Sequence, residues 1–385
     1  MTFDPTVHLP DDLLERIRER APIHDRENTF PQQDLDELRD AGYLGILVPE
    51  ERGGAGLGLE QAAVLQQRLA SAAPATALAI NMHLVWTGVA KVFSDRGVPG
   101  LEFVQDGAVA GDVFAFGISE GGNDLVLFGS DTAAEPQPGG GYAFTGTKIF
   151  TSLAPVWTKL GLHGLDTTSE DAPKLVFAFV DRTDAVATSD DWDTLGMRGT
   201  QSRTTRLNGA VAAPQHVVRR IDPGPNSDPI VFGIFSVFEI LLASVYTGIA
   251  RRALDLAVET VQKRHSKKTG LAYSQDPDIR WRIAGMGLDY DALPPQIAAL
   301  ARDVDSLADH GGRWFTLLSG VKHRAVTMAK RVVDEAILTA GGGSYFASNE
   351  LSRLYRDVLA GMFHPSDPES AHSTAASAWL GPLES

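Results

Sequence analysis

The chain has no cysteine in 385 residues. That excludes disulfide staples and thiol nucleophiles, argues against a structural zinc site, and leaves redox compartment undetermined. Basic residues are also in short supply, with 34 Lys and Arg against 49 Asp and Glu and a net charge of −15. Such a surface disfavours nucleic acid or an anionic membrane as the main partner, while a local basic patch remains free to hold a small anion. An apolar leader is missing from Met1–Arg20, so a cytoplasmic protein is expected. No His, Asp and Glu set has metal-ligand spacing, and there is no Ser-His-Asp signature. The one long apolar run, Pro229–Ala250, is long enough to cross a bilayer. It carries Glu239 near its centre and no basic flank precedes it, so a helix buried on all sides within a bundle is expected, with no membrane partner.

What is present reads as a soluble globular protein of two or three domains, 43% hydrophobic and 22% charged. Helical patterns cover Asp11–Ala21, Pro31–Ala41, Leu59–Ser71 and Ala75–Asp95. The Gly53-Gly-Ala-Gly-Leu-Gly58 run lacks the Lys-Ser/Thr of a phosphate loop and reads as a turn. A β region follows. Val113–Ile118 is a strand entering a glycine turn, Tyr142–Phe144 and Lys148–Thr151 read as strands joined by a tight Thr145-Gly146 turn, and Lys174–Val180 is a buried strand. From about residue 228 the pattern is helical again: Phe232–Arg264, Asp278–Leu288, Gln296–Leu318 and Val321–Thr339, then a Gly341-Gly-Gly stop. Three domains are expected, at 1–112, 113–225 and 226–385.

This helical, β, helical plan resembles the acyl-CoA dehydrogenase superfamily. So do Gly42–Glu50, Leu195-Gly-Met-Arg-Gly-Thr200, Gly248-Ile-Ala-Arg-Arg-Ala-Leu-Asp255 and the Arg356-Asp357 pair. The resemblance implies an α+β fold: an N-terminal helical domain, a middle barrel-like β domain and a C-terminal four-helix bundle. It also implies a homodimer or homotetramer, because flavin sites of this kind span two subunits. The flavin would be FAD, or FMN on the monooxygenase branch of the superfamily. Ile118 and Ser119 would meet its pyrimidine edge, Phe150 would lie against the ring system, and the Ser152 hydroxyl would face N5. Arg264, Gly341 and Gly342 would hold the distal end of a neighbouring subunit's flavin. Read alone, Arg264 is equally a helix C-terminal charge, and Arg198 is either an exposed turn charge or a contact that closes the β domain.

The expected chemistry is α,β-dehydrogenation of an acyl-CoA thioester, with electrons passing to a partner protein. Dehydrogenation needs a carboxylate base to take the α-proton. The superfamily's usual slot for it falls on Pro365, and the slot some members use on the first bundle helix falls on Phe238. Asp367, Glu369 and Glu239 are the candidates left; Glu239 sits about 100° round the helix from Phe238. A Glu buried in an apolar helix has a raised pKa, which suits a base, but it serves equally as the structural partner of a buried Lys or Arg. The alternatives are a two-component monooxygenase fed by a flavin reductase, with His83, Ser152 and His364 as its polar groups, and a non-catalytic binding protein. His372 and Asp357 read as structural.

Overall fold

The computed structural model of the protein describes residues 3–168, 172–381 and 383. Five helices come first: α1 (Asp11–Glu27), α2 (Gln32–Asp40), α3 (Leu59–Ala72), α4 (Pro74–Asp95) and α5 (Glu102–Ala110). Helix α4 begins with Pro74 in its first turn and is buried along nearly its whole length. Helix α5 has no strong sequence signal; only Val104, Gln105 and Ala108 are buried along its nine residues.

Eight strands follow: β1 (Phe114–Gly117), β2 (Ala133–Pro136), β3 (Tyr142–Thr151), β4 (Lys159–Asp166), β5 (Lys174–Asp181), β6 (Val186–Thr188), β7 (Arg203–Ala212) and β8 (Val217–Ile221). They form one sheet in the order β6-β7-β3-β2-β4-β5-β8, with β1 parallel to β4. Strands β5 and β7, which are not hydrogen-bonded to each other, also pack together, so the sheet folds back on itself. The tight turn expected at Thr145-Gly146 does not exist: β3 runs unbroken through it, antiparallel to β7, with a register shift at Phe144/Thr145. Gly146 is there because Thr132 packs on it, leaving no room for a Cβ. The signal read as a turn is a bulge with a close approach.

Six helices complete the chain: α6 (Pro229–Lys263), α7 (Pro277–Asp291), α8 (Leu293–Asp305), α9 (Arg313–Ala340), α10 (Glu350–Val358) and α11 (Pro368–Leu380). Helices α6 to α9 make the four-helix bundle, and α3 and α4 pack on the other side of α6. The long apolar run is thus the central helix, with 89% of its most apolar window covered by protein. Each fully buried Leu, Ile or Phe there contributes roughly 1.5–3 kcal/mol. The expected helix Gln296–Leu318 is broken at 306–312, where Leu307 and Gly311 take positive φ, and the chain stays helical through Ser319 and Gly320. The break is fixed from outside the segment: Asp305, the last residue of α8, accepts hydrogen bonds from the Leu59 and Glu60 amides and caps α3.

Candidate active site

Strand β1 ends in Gly117-Ile118 and opens into the turn Ser119–Asn123. The Ser119 carbonyl accepts from the Ile149 amide, tying the turn to β3. Glu120, whose side chain is buried, holds the turn from behind. Its Oε1 accepts from Lys148 Nζ (2.6 Å), Ser130 Oγ (2.7 Å), Thr132 Oγ1 (2.6 Å) and the Thr132 amide (3.1 Å). Its Oε2 accepts from Asn123 Nδ2 and the Asp131 amide, both at 2.7 Å. Burial pushes this carboxyl up, but the Lys148 ammonium and these donors outweigh it and hold it well below the usual range. Burial lowers Lys148 to about 8. Lys148 also donates to the His163 carbonyl (2.8 Å) and faces His163 Nδ1 (3.2 Å). Burial and the Lys148 charge together bring His163 down to about 3, so its ring is neutral. None of this cluster was anticipated beyond the turn itself; the usable signal was a Glu in the glycine turn and a Lys within β3.

At the end of β3, Phe150 is 58% exposed and has φ 56°. It is one of four non-glycine residues with positive φ gathered here, the others being Leu153, Met197 and Gln201. Each costs roughly 1–2 kcal/mol and is held by its surroundings: the Leu153 and Ala154 amides donate to the Thr200 and Gln201 carbonyls. Nearby, Thr200 Oγ1 donates to the Met197 carbonyl (2.8 Å) and Ser202 Oγ to Thr200 Oγ1 (2.7 Å). Ser152 Oγ, 2.7 Å from Ser202 Oγ, must then be the donor of that pair, which leaves its lone pairs unused. An exposed aromatic face, an anchored hydroxyl and a turn with open space over Gly121 and Gly122 fit the planar, hydrogen-bonding ring system of a flavin.

Helix α6 crosses close by. Phe238 is 8% exposed and its ring stacks on Phe116 of β1 at 5.4 Å, so this position turns an apolar ring to the β domain. Glu239 is 1% exposed and faces elsewhere. Its Oε1 accepts from the Ser366 amide (3.2 Å) and Ser366 Oγ (2.7 Å), and its Oε2 has no partner. Burial raises it to about 7, against the pull of Lys322. Lys322 of α9 donates to the carbonyls of Gly361 (3.1 Å), His364 (2.8 Å) and Ser366 (2.8 Å). Three acceptors require three N–H groups, so Lys322 is an ammonium despite the burial that lowers its pKa. His364 Nε2 lies 2.8 Å from the Tyr246 hydroxyl. Asp367 caps α11 by accepting from the Ser370 amide, and Glu369 is exposed on the first turn of that helix.

The family model of the acyl-CoA dehydrogenase N-terminal domain matches residues 13–94, and that of the C-terminal domain matches residues 240–366. The chain belongs to the acyl-CoA dehydrogenase superfamily. The L-evernosamine nitrososynthase of a Micromonospora species is 27% identical over 372 residues, 93% of this chain and 85% of its own. The dibenzothiophene monooxygenase of Rhodococcus qingshengii is 25% identical over 378 residues, 93% of this chain and 88% of its own. The solved structure of KijD3 in complex with FMN and dTDP-3-amino-2,3,6-trideoxy-4-keto-3-methyl-D-glucose superposes with a TM-score of 0.87 at 28% identity, covering 99% of this chain and 94% of that one. A flavin-dependent oxidoreductase is the class these relatives share.

Within this superfamily fold the remaining candidates fall in different places. Arg264 and Gly341 meet: the Arg264 guanidinium donates to the Ala340 carbonyl, lies over the Tyr273 ring at 5.0 Å, and sits beside Gly341, with Gly342 open. His83 is fully buried, with Nε2 at 2.9 Å from the Leu44 carbonyl and Nδ1 accepting from the Phe114 amide at 3.2 Å. Burial lowers it to about 4, so it is neutral and joins α4 to β1. No hydrogen bond links His83, Ser152 and His364 to one another among the described residues; the first two flank the β domain and the third hangs from the bundle. Two signature motifs turn out to be a joint. The Met197 amide donates to Asp357 Oδ1 (2.6 Å), Arg356 donates to the Leu195 carbonyl (3.0 Å) and to Asp25, and Arg198 Nε donates to the Asp25 carbonyl (2.9 Å). A Cβ on Gly196 would overlap the Arg356 carbonyl. Arg198 is therefore a contact that closes the β domain on α1, while Leu195 and Met197 close it on α10.

Proposed function

We propose that this protein is the oxygenase component of a two-component flavin monooxygenase that oxidises a small nucleophilic substrate, with an amine-bearing sugar nucleotide the first to test. The observation that carries this reading is on α6. Dehydrogenation requires a carboxylate at the substrate, yet position 238 offers the Phe238 ring to the β domain and position 365 is proline. Glu239 points instead to Ser366 and Lys322, and Glu369 is out in solvent. The relatives named above include a nitrososynthase and a monooxygenase, and one is bound to FMN and an amino sugar nucleotide, which supports the same reading.

Reduced FMN, delivered by a separate reductase, would supply the electrons for splitting oxygen. The chain's own part is to hold and enclose it. Glu120 and Lys148 fix the turn at Ile118 and Ser119, Phe150 offers an apolar platform, and Ser152 offers an acceptor anchored through Ser202 and Thr200. His364, a neutral imidazole on the loop after α10, would act as a hydrogen-bond donor. FMN ends in a phosphate and has no adenine, so Arg264 is the residue that would meet a neighbouring subunit's flavin there, with Gly341 and Gly342 kept for the adenine end of FAD; either contact makes the working form a homodimer or homotetramer.

The test pairs two assays. FMN-loaded protein, a flavin reductase and NADH are incubated in air with a dTDP-linked amino sugar, and products are read by mass spectrometry. FAD- and FMN-loaded protein is titrated without oxygen with a panel of acyl-CoAs. Oxygenated product with no anaerobic bleaching is expected. Bleaching of the flavin by any acyl-CoA would overturn the monooxygenase reading and restore the dehydrogenase.

A further inference from the structure

The segment Leu359–Ser366 is a short loop after α10, yet buried polar groups of the bundle bind it at several points. Lys322 gathers the carbonyls of Gly361, His364 and Ser366. Glu239 takes the amide and hydroxyl of Ser366. Gly361 lies against the Tyr246 ring, where a Cβ would come within 2.8 Å. The only side chain in this segment with acid–base capacity is His364, and its one side-chain partner is Tyr246.

The proton on that bond can be placed. Tyr246 is fully buried, and among the described residues its hydroxyl has no partner except His364 Nε2. Were Nε2 the donor, the phenol O–H would be stranded in the core at a cost of about 1–3 kcal/mol. The phenol therefore donates and Nε2 accepts. The Lys322 ammonium beside the loop disfavours a second positive charge, and with burial it takes His364 down to about 3, so the ring is neutral. A neutral imidazole that accepts at Nε2 carries its proton on Nδ1. Among the described residues no protein group bonds that Nδ1, and it is not among the sealed, unsatisfied atoms. The other charges in the neighbourhood are Glu239 from α6 and Asp367, both on the Lys322 side, and Asp357, which faces Tyr246.

We infer that Tyr246 is a positioning residue that locks His364 as the Nδ1–H tautomer, leaving that N–H as a fixed hydrogen-bond donor on the loop after α10. This rests on the monooxygenase reading for its role but not for its geometry. The first readout needs neither flavin nor substrate: two-bond 15N–1H spectra of the protein labelled in histidine, with the His364 signal assigned by a His364→Gln variant. The wild type should show a neutral ring protonated at Nδ1 at pH 7. Tyr246→Phe keeps the ring against Gly361 and should lose that signature, giving mixed tautomers of a ring that stays neutral at pH 7 because burial and Lys322 are unchanged. In the reductase-coupled assay, Tyr246→Phe should divert several-fold more reducing equivalents to hydrogen peroxide. A wild-type ring protonated at Nε2, or an unchanged tautomer in Tyr246→Phe, overturns the inference. An intact Nδ1–H signature in a protein that performs no oxygen chemistry overturns the monooxygenase reading instead.

Discussion

The buried Glu120–Lys148 pair makes the sharpest quantitative test. Replacing Glu120 with Gln keeps the shape and removes the charge. Whichever way the new amide turns, its NH2 faces existing donors: Lys148, Ser130 and Thr132 on one side, Asn123 and the Asp131 amide on the other. Lys148, whose side chain has no solvent exposure, is left without its counter-ion. Breaking a buried pair from one side costs about 3–5 kcal/mol; with an unfolding entropy of about 2.1 cal/mol/K per residue over 385 residues, that is roughly 4–6 °C in Tm. Lys148→Met should cost less, because Glu120 keeps every other donor and the thioether fills the space. FMN affinity should fall in both variants, and further in Glu120→Gln, because Glu120 also fixes the Ser119–Asn123 turn. Calorimetry and fluorescence titration with FMN read the two effects. A Glu120→Gln variant within about 0.5 kcal/mol of wild type, or one milder than Lys148→Met, would refute the argument that the carboxylate is the centre of the cluster.

Two further outcomes follow from the bundle and the joint. Burial raises Glu239 to about 7 from the ordinary 4.5, so the folded state holds this proton where the unfolded chain has released it. Its contribution to stability is lost as pH rises from about 4.5 through 7; Glu239→Gln should flatten the fall of Tm over that range, and an unchanged slope would show that Glu239 does not titrate there. Gly196→Ala forces a Cβ onto the Arg356 carbonyl and should cost about 1–3 kcal/mol. It should also speed proteolysis between the β domain and α10, and a variant as resistant as wild type would show that this joint does not hold the domains together.

The helical, β, helical order of the chain was legible because burial leaves a periodic trace: α4 and α6 are apolar almost all round, and β5 is apolar along its length. The strands β2, β4 and β6 to β8 and the helices α5, α10 and α11 were not read individually. The signature motifs were legible as a family resemblance, yet not as parts of a machine. Leu195–Thr200 and Arg356-Asp357 are far apart in the chain and meet only in the fold, where Asp357 accepts from the Met197 amide. The misread stretches share a cause. Thr145-Gly146 and Ser319-Gly320 look like breaks by local propensity, but Gly146 serves a close packing of Thr132 and Gly320 sits within a helix whose neighbours are buried.

By itself the sequence determined the helical, β, helical order, the absence of cysteine chemistry and the apolar central helix, because composition and periodicity are local properties; the class of fold came through the family resemblance. It also showed that no carboxylate occupies either expected base position. Only the tertiary structure decided which way Glu239 faces, that Lys322 and Ser366 claim its neighbourhood, and that Tyr246 reaches His364. The physical reason is that side-chain direction and hydrogen-bond partnership are set by elements packed from opposite ends of the chain, and a buried polar group takes the role its partners leave it.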